Sequence, residues 1–171
     1  MASGDHLFTL LPDASHPTGT LYATRDWIED GATPSSLIPV LDFDTGNAEH
    51  AEWKVPLPAH YGGGAFTWRW KGGTDLADTG TFILALRIKP IADATILTGD
   101  LLVDNQTADT ITDTPPATPI NKLNYSIDGE LSAANAGSPS AGDYVIIRAS
   151  RDISDTNTGD LQLAAIEIEE S

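Results

Sequence analysis

The chain of 171 residues contains no Cys and a single Met. Without a thiol it has no cysteine nucleophile, no Cys-ligated zinc and no disulfide scaffold. Cations are scarce as well: four Lys and five Arg stand against 25 acidic residues, for a formal charge of −16. A field of that sign repels phosphate backbones and argues against direct nucleic-acid binding. No apolar run approaches the roughly 20 residues of a membrane helix. Met1 to Leu11 include Asp5, lack a basic opening and have too short an apolar stretch for a secretory signal. The expectation is therefore synthesis and folding in a cytoplasm, or release from one without a classical export signal. Helix formers are few, and three of the seven Glu lie in the last five residues.

What is present is turn chemistry. Eighteen of the acids are Asp, beside 19 Thr, 15 Gly and 11 Pro. Asp bonds to nearby backbone groups and so favours turns over helices. At 40% hydrophobic residues the chain is too apolar for wholesale disorder. Its length suits one domain, burying roughly 70% of the unfolded surface without help from a metal.

Strand periodicity is strongest from Thr81 to Lys89, where Phe82, Leu84, Leu86 and Ile88 share a face and Pro90 is expected to end the run. Ala65 to Lys71 sets Phe66, Trp68 and Trp70 against Thr67, Arg69 and Lys71, with Gly72-Gly73 expected to close it. Further strands are expected at Glu52 to Leu57, Leu37 to Asp44, Leu123 to Ile127, Tyr144 to Arg148 and Leu161 to Glu169. In the last of these the apolar phase slips, which predicts a bulge near Ala164-Ala165. Weaker strands are expected at Leu7 to Leu11, Leu21 to Thr24 and Ile96 to Val103. Asp128 to Asn135 reads as a short helix or a loop, and Asp113 to Pro119 as extended chain. Eight or nine strands separated by turn signals give an all-β fold that reads as a sandwich, jelly roll or barrel, with an antiparallel β-sandwich, jelly-roll-like, as the expectation. Residues 1–35 read as an extended N-terminal arm with one or two short strands, and residues 36–171 as the β-sandwich domain.

Few motifs carry chemistry. Asp42-Phe43-Asp44-Thr45-Gly46 opens like a calcium loop, but Gly46 and Trp53 stand where ligands are needed, so a strand end running into a turn is the better reading. Asp152, Asp155, Asn157 and Asp160 form a denser set of oxygens that reads as a polar hairpin, with a Ca²⁺ site as the alternative. His6, His16, His50 and His60 lack metal-site spacing. No nucleophile elbow or phosphate loop is present, and no carboxylate spacing marks a hydrolase pair. The reading is a non-enzyme without a cofactor. Trp27, Trp53, Trp68 and Trp70 on alternating strands fill a core or a subunit interface, with sugar stacking as the other use.

Three stretches are similar to a group of small phage-associated virion structural proteins. They are Pro39-Val40-Leu41-Asp42-Phe43-Asp44, Val55 to Gly64 (with Leu57-Pro58, Tyr61 and three glycines), and Thr158-Gly159-Asp160 through Ile168, preceded by Arg148-x-x-Arg151-Asp152. That group shares a Leu-Asp-Phe-Asp strand, a Leu-Pro-x-x-Tyr turn with glycines feeding an aromatic strand, and a closing Thr-Gly-Asp strand. The resemblance implies a virion component with a jelly-roll-like sandwich. Apolar residues on alternate faces, at Ile38 and Val40, Ile83 and Ala85, and Val145 and Ile147, point to a sheet covered by a partner or an arm. The expectation is a capsid decoration protein, trimeric by analogy, bound to the major capsid protein on the outside of a phage head. Phe66, Trp68, Trp70, Arg69, Lys71 and Ile83 are the expected interface. The alternative is a tail-tip or fibre module that holds host glycan through Trp27 or Trp68.

Overall fold

In the computed structural model, residues 4–29, 31–91, 103–114 and 123–171 are described. They form an antiparallel β-sandwich. The eleven strands are β1 (Asp5–Leu10), β2 (Thr24–Glu29), β3 (Leu37–Phe43), β4 (His50–Pro56), β5 (Phe66–Thr74), β6 (Phe82–Ile91), β7 (Asp109–Asp113), β8 (Asn124–Tyr125), β9 (Gly129–Leu131), β10 (Tyr144–Arg151) and β11 (Leu161–Glu170). One sheet has seven strands, in the order β2-β3-β11-β5-β8, with β1 also on β11 and β9 also on β5. The other has four, in the order β4-β10-β6-β7.

The core lies where the alternating apolar faces of the two sheets meet. Phe82, Leu84, Leu86 and Ile88 of β6 and Val145 and Ile147 of β10 are 0% exposed. They face Phe66, Trp68 and Trp70 of β5 and Leu161, Leu163, Ile166 and Ile168 of β11, all at 0–1%. The core-facing set on β10 is thus Val145 and Ile147, and Ile146 is the apolar residue of its other face.

Two expected strand ends move. β5 continues through Gly72-Gly73 to Thr74, because β11 runs so close that a Cβ at Gly72 would stand 2.8 Å from the Gln162 carbonyl oxygen. β6 continues through Pro90, opposite Val145, to Ile91, since a proline removes only its own N–H from the ladder. The expected bulge on β11 is observed as a register shift between Leu163 and Ala165. Asp128 to Asn135 holds β9 and a turn. The expected strand from Ile96 falls outside the described residues up to residue 102, as does 115–119 of the proline-rich stretch.

Residues 1–35 carry two strands, both paired within this chain: β1 lies on β11 and β2 on β3. Leu7 and Leu10 of β1 enter the core. The weak strand expected at Leu21 to Thr24 becomes a single bridge from Tyr22 to His50, with β2 beginning at Thr24.

This packing separates two kinds of tryptophan. Trp70→Ala is expected to lower stability by about 3–5 kcal/mol in urea unfolding, as for a truncated core aromatic. Trp27→Ala, at a position 51% exposed in the single chain, is expected to stay within about 0.5 kcal/mol at dilutions where the chain is monomeric.

Candidate functional site

The bulge on β11 decides what its edge can hold. β3 pairs with β11 only through Leu41, Asp42 and Phe43, opposite Leu163, Gln162 and Leu161. Beyond the bulge, β1 takes the same edge, from Leu10 opposite Ile166 to Asp5 opposite Glu170. The outer half of β3, Leu37 to Val40, therefore pairs with β2 alone among the described residues, in the register Asp26 opposite Val40, Trp27 opposite Pro39, Ile28 opposite Ile38 and Glu29 opposite Leu37. The β2–β3 hairpin continues as a two-stranded ribbon.

Alternation places Trp27, Leu37 and Pro39 on the face that carries Leu41 and Phe43. Here no second sheet covers that face, and Trp27 and Leu37 are 51% and 49% exposed. Diagonal neighbours at this spacing are within reach of an indole. On the other face Ile38 is 44% exposed, whereas Val40 and Ile28 are buried. β2 ends the sheet. Ahead of it the chain crosses between the sheets, with His16 bridged to Glu52 and Tyr22 to His50. A pocket of about 390 Å³ opens there, lined by His16, Tyr22, Arg25 and His50 among others. Arg25 donates to the Asp13 and Ser15 carbonyls at 3.3 and 2.7 Å. His50 Nδ1 lies 2.8 Å from Ser150 Oγ, and burial holds its pKa below the ordinary histidine value. Leu11, Leu21 and Tyr22, all about half exposed, extend the apolar surface towards the ribbon in sequence.

The expected interface residues are distributed differently. Phe66, Trp68 and Trp70 are 0–1% exposed and fill the core of their own chain, so they cannot reach a partner. Arg69 and Lys71 do face outward. Arg69 donates to Glu167 at 2.9 and 2.7 Å, and both cations sit over the Tyr125 ring, at 4.6 and 4.8 Å from its centroid. Ile83 is half-buried on the outer face of β6.

The expected oxygen cluster is built around a cation of the protein itself. Arg151, with a side chain 1% exposed, makes a bidentate pair with Asp155 at 2.8 and 3.1 Å. Its remaining N–H groups go to the carbonyls of Phe43, Gly159 and Asn157, and Phe82 stacks against it at 4.7 Å. Asn157 donates to the Gly80 carbonyl and accepts from the Gly159 N–H. Asp160 accepts from the Thr45 N–H, and Asp152 from that of Ser154. Arg151 thus takes the Asp155 carboxylate and the Asn157 carbonyl, whereas Asp152 and Asp160 bond to other backbone groups. No group of three His, Asp or Glu among the described residues is arranged to hold a metal.

The three stretches behind the expected resemblance form joints of the fold. Gly62 and Gly64 N–H groups donate to the Glu170 carboxylate at 2.8–3.0 Å, which holds its pKa below the usual range, and Tyr61 stacks on Phe66. Thr158 donates twice to Asp78, holding that carboxyl down at about 2. Arg148 joins Glu52 to Asp104.

Sequence reasoning missed Asp42 as a special carboxyl, for three of the four carboxylates around it come from other segments. Asp42 Oδ1 and Gln162 Oε1, on directly opposed residues of β3 and β11, are buried without a hydrogen-bond partner. Burial first, then the charges of Asp160, Asp26, Asp75 and Asp44, push the Asp42 pKa up to about 7. A carboxyl that keeps its proton converts one of two facing acceptors into a donor.

No protein-family model and no curated protein matches this chain. Solved structures do share its fold. The mosquito-larvicidal Cry4Aa toxin of Bacillus thuringiensis aligns with a TM-score of 0.54 and 12% identity, over 96% of this chain and 23% of the toxin. The CBM36-1 domain of a multidomain xylanase from the hindgut metagenome of Trinervitermes trinervoides aligns at 0.49 and 10% identity, over 96% and 98%. The CBM22-1 xylan-binding domain from Paenibacillus barcinonensis aligns at 0.49 and 12%, over 99% and 97%. At 12% identity the alignment with the toxin is a likeness of fold alone.

Two outcomes check the site. Because the folded-state pKa of Asp42 lies above its ordinary 3.8, its support for the fold is complete below about pH 4 and is lost as the pH rises through about 7. Asp42→Asn is therefore expected to gain stability over the parent chain at pH 8 and to lose that advantage at pH 4, in paired urea titrations. Adding millimolar Ca²⁺ is expected to leave Tm unchanged, whereas Arg151→Met, which leaves Asp155 buried without its partner, is expected to cost about 3–5 kcal/mol.

Proposed function

We propose that this chain is a non-catalytic structural subunit of a virus particle, a decoration protein held to the outer surface of a phage head by its exposed apolar edge. The observation that carries this reading is the projecting ribbon with its neighbouring segment. Leu11, Leu21, Tyr22, Trp27, Leu37 and Ile38 are 44–51% exposed, and all lie within the first 38 residues of a chain with charge −16. Trp27, Leu37 and Pro39 share one face of the ribbon, and exposed apolar side chains side by side on so acidic a molecule mark a surface that another protein covers. The charge keeps the free subunit soluble, and burial of the apolar group at the shell supplies the attachment. The particle is suggested by the resemblance of the Leu-Asp-Phe-Asp, Tyr-Gly-Gly-Gly and Thr-Gly-Asp stretches to phage virion proteins. The major capsid protein is the corresponding partner. No helix among the described residues is long and apolar enough to cross a membrane.

A second reading, a tail-tip or fibre module for host glycan, has one observation behind it, the half-exposed indole of Trp27. Trp68, the other stacking residue considered, is 1% exposed and out of reach.

Co-sedimentation separates the two. The purified chain is expected to pellet with heads from a phage that encodes the same three motifs, and Trp27→Ala with Leu37→Ala is expected to weaken this at least tenfold. A chain that ignores heads and instead binds a glycan array through Trp27 would establish the second reading in place of the first.

A further inference from the structure

A two-stranded ribbon is marginal in water by itself, and a third strand or other cover is what stabilises it. On one side of this ribbon β3 pairs with β2. On the other side of β2, among the described residues, no strand pairs. Five of the six β2 residues, all but Ile28, are exposed. An edge of this kind is a template for another strand. Its sequence, Thr24-Arg25-Asp26-Trp27-Ile28-Glu29, selects which one.

We propose that the outer edge of β2 pairs antiparallel with β2 of a second copy, about a two-fold axis at Trp27, so that two ribbons join into one four-stranded sheet. The inference rests on the reading of the ribbon as an assembly surface and names its partner. The register follows from charge. In a two-fold pair of strands whose sheet faces stay aligned, the axis passes through a residue and not between two. An axis at Asp26 would set two carboxylates face to face, and directly opposed like charges are destabilising. An axis at Ile28 would leave Trp27 opposite Glu29. An axis at Trp27 sets the two indoles together, Arg25 opposite Glu29 twice over, and Asp26 opposite Ile28. Arg25, Trp27 and Glu29 lie on one face by alternation, so the two ion pairs flank the aromatic pair on the same side of the new sheet. The carbonyls of Asp13 and Ser15 hold one terminal nitrogen of Arg25. Leu37, diagonal to Trp27 on the same face, extends the apolar centre.

The interface is isologous and closes at two copies, which replaces the three-fold arrangement expected by analogy. The chain has no Cys, so single introduced thiols report the register without interference. Opposed residues in an antiparallel pair have Cα atoms about 4.5–5.5 Å apart, within disulfide range, whereas a residue two places off register is beyond the limit of about 7 Å. Under mild oxidation Trp27→Cys is expected to cross-link with itself and Asp26→Cys is not. A mixture of Arg25→Cys and Glu29→Cys chains, which keeps Trp27, is expected to give the mixed dimer while neither does so alone. Light scattering on the parent chain is expected to show a dimer. Glu29→Arg and Arg25→Glu are each expected to weaken it at least tenfold, and mixing the two variants to restore it. A monomer at every concentration, a trimer mass, or self-linking of Asp26→Cys with Trp27→Cys unlinked would overturn the proposal. All of these are read without phage heads present, so failure here leaves head binding standing, and failure of head binding leaves the dimer standing.

Discussion

Strand β11 is the constraint on which the rest depends. It is the longest strand of its sheet, lies beside β5 over nearly its whole length, and offers one remaining edge. Two strands need that edge. The bulge after Leu163 divides it, giving Leu161 to Leu163 to β3 and Ile166 to Glu170 to β1. Because β1 occupies the second half, the outer residues of β3 pair with β2 alone among the described residues, with Val40 and Ile28 buried on one face and Trp27 and Leu37 exposed on the other. The exposed indole at Trp27 is a consequence of this competition. It does not reflect any polarity in the local sequence, since Trp27 continues the same face as Leu41 and Phe43 of the core.

The acidic charge is organised around few cations. Arg151 ties the β10–β11 loop to the end of β3 and to the Phe82 ring, using every N–H of its guanidinium. Arg148 joins β4 and β10 to Asp104, and Arg69 joins β5 to β11 through Glu167. Carboxylates without such partners are accommodated in two ways. Asp78 and Glu170 accept several N–H groups and stay charged well below the usual range. Asp42, half-buried among four other carboxylates, keeps its proton up to about pH 7. An acidic surface is thus compatible with closely packed loops, and the ribbon edge, which presents Arg25 and Glu29 together, is a place where the charge is balanced.

Much of the fold was legible because its signals are local. Alternation marked β5, β6 and β10, and the phase slip after Leu163 foretold the bulge that shapes the whole sheet. Strand ends were less so, since Gly72 and Pro90 read as breakers, and what keeps them in strands is a neighbour that the sequence does not display. The aromatic face of β5 was legible as a face, but periodicity does not say whether a face meets its own chain or another, and Phe66, Trp68 and Trp70 meet their own. Arg151 gathers Phe43, Asp155, Asn157 and Gly159, and its role appears only once the β10–β11 loop meets the end of β3. The projection of β2 and β3 was hidden for a similar reason: it follows from which strand wins the edge of β11.

On the proposed reading, a loop-tied sandwich presents β2 as an edge strand among the described residues, and pairing of that edge with a second copy completes the sheet. Hydrogen exchange of the outward-facing amides of β2, followed over a range of protein concentrations, tests this most directly. Protection at Thr24 to Glu29 should grow with concentration while that of β10 stays constant. Amides of β2 that exchange at the unprotected rate at every concentration would contradict it.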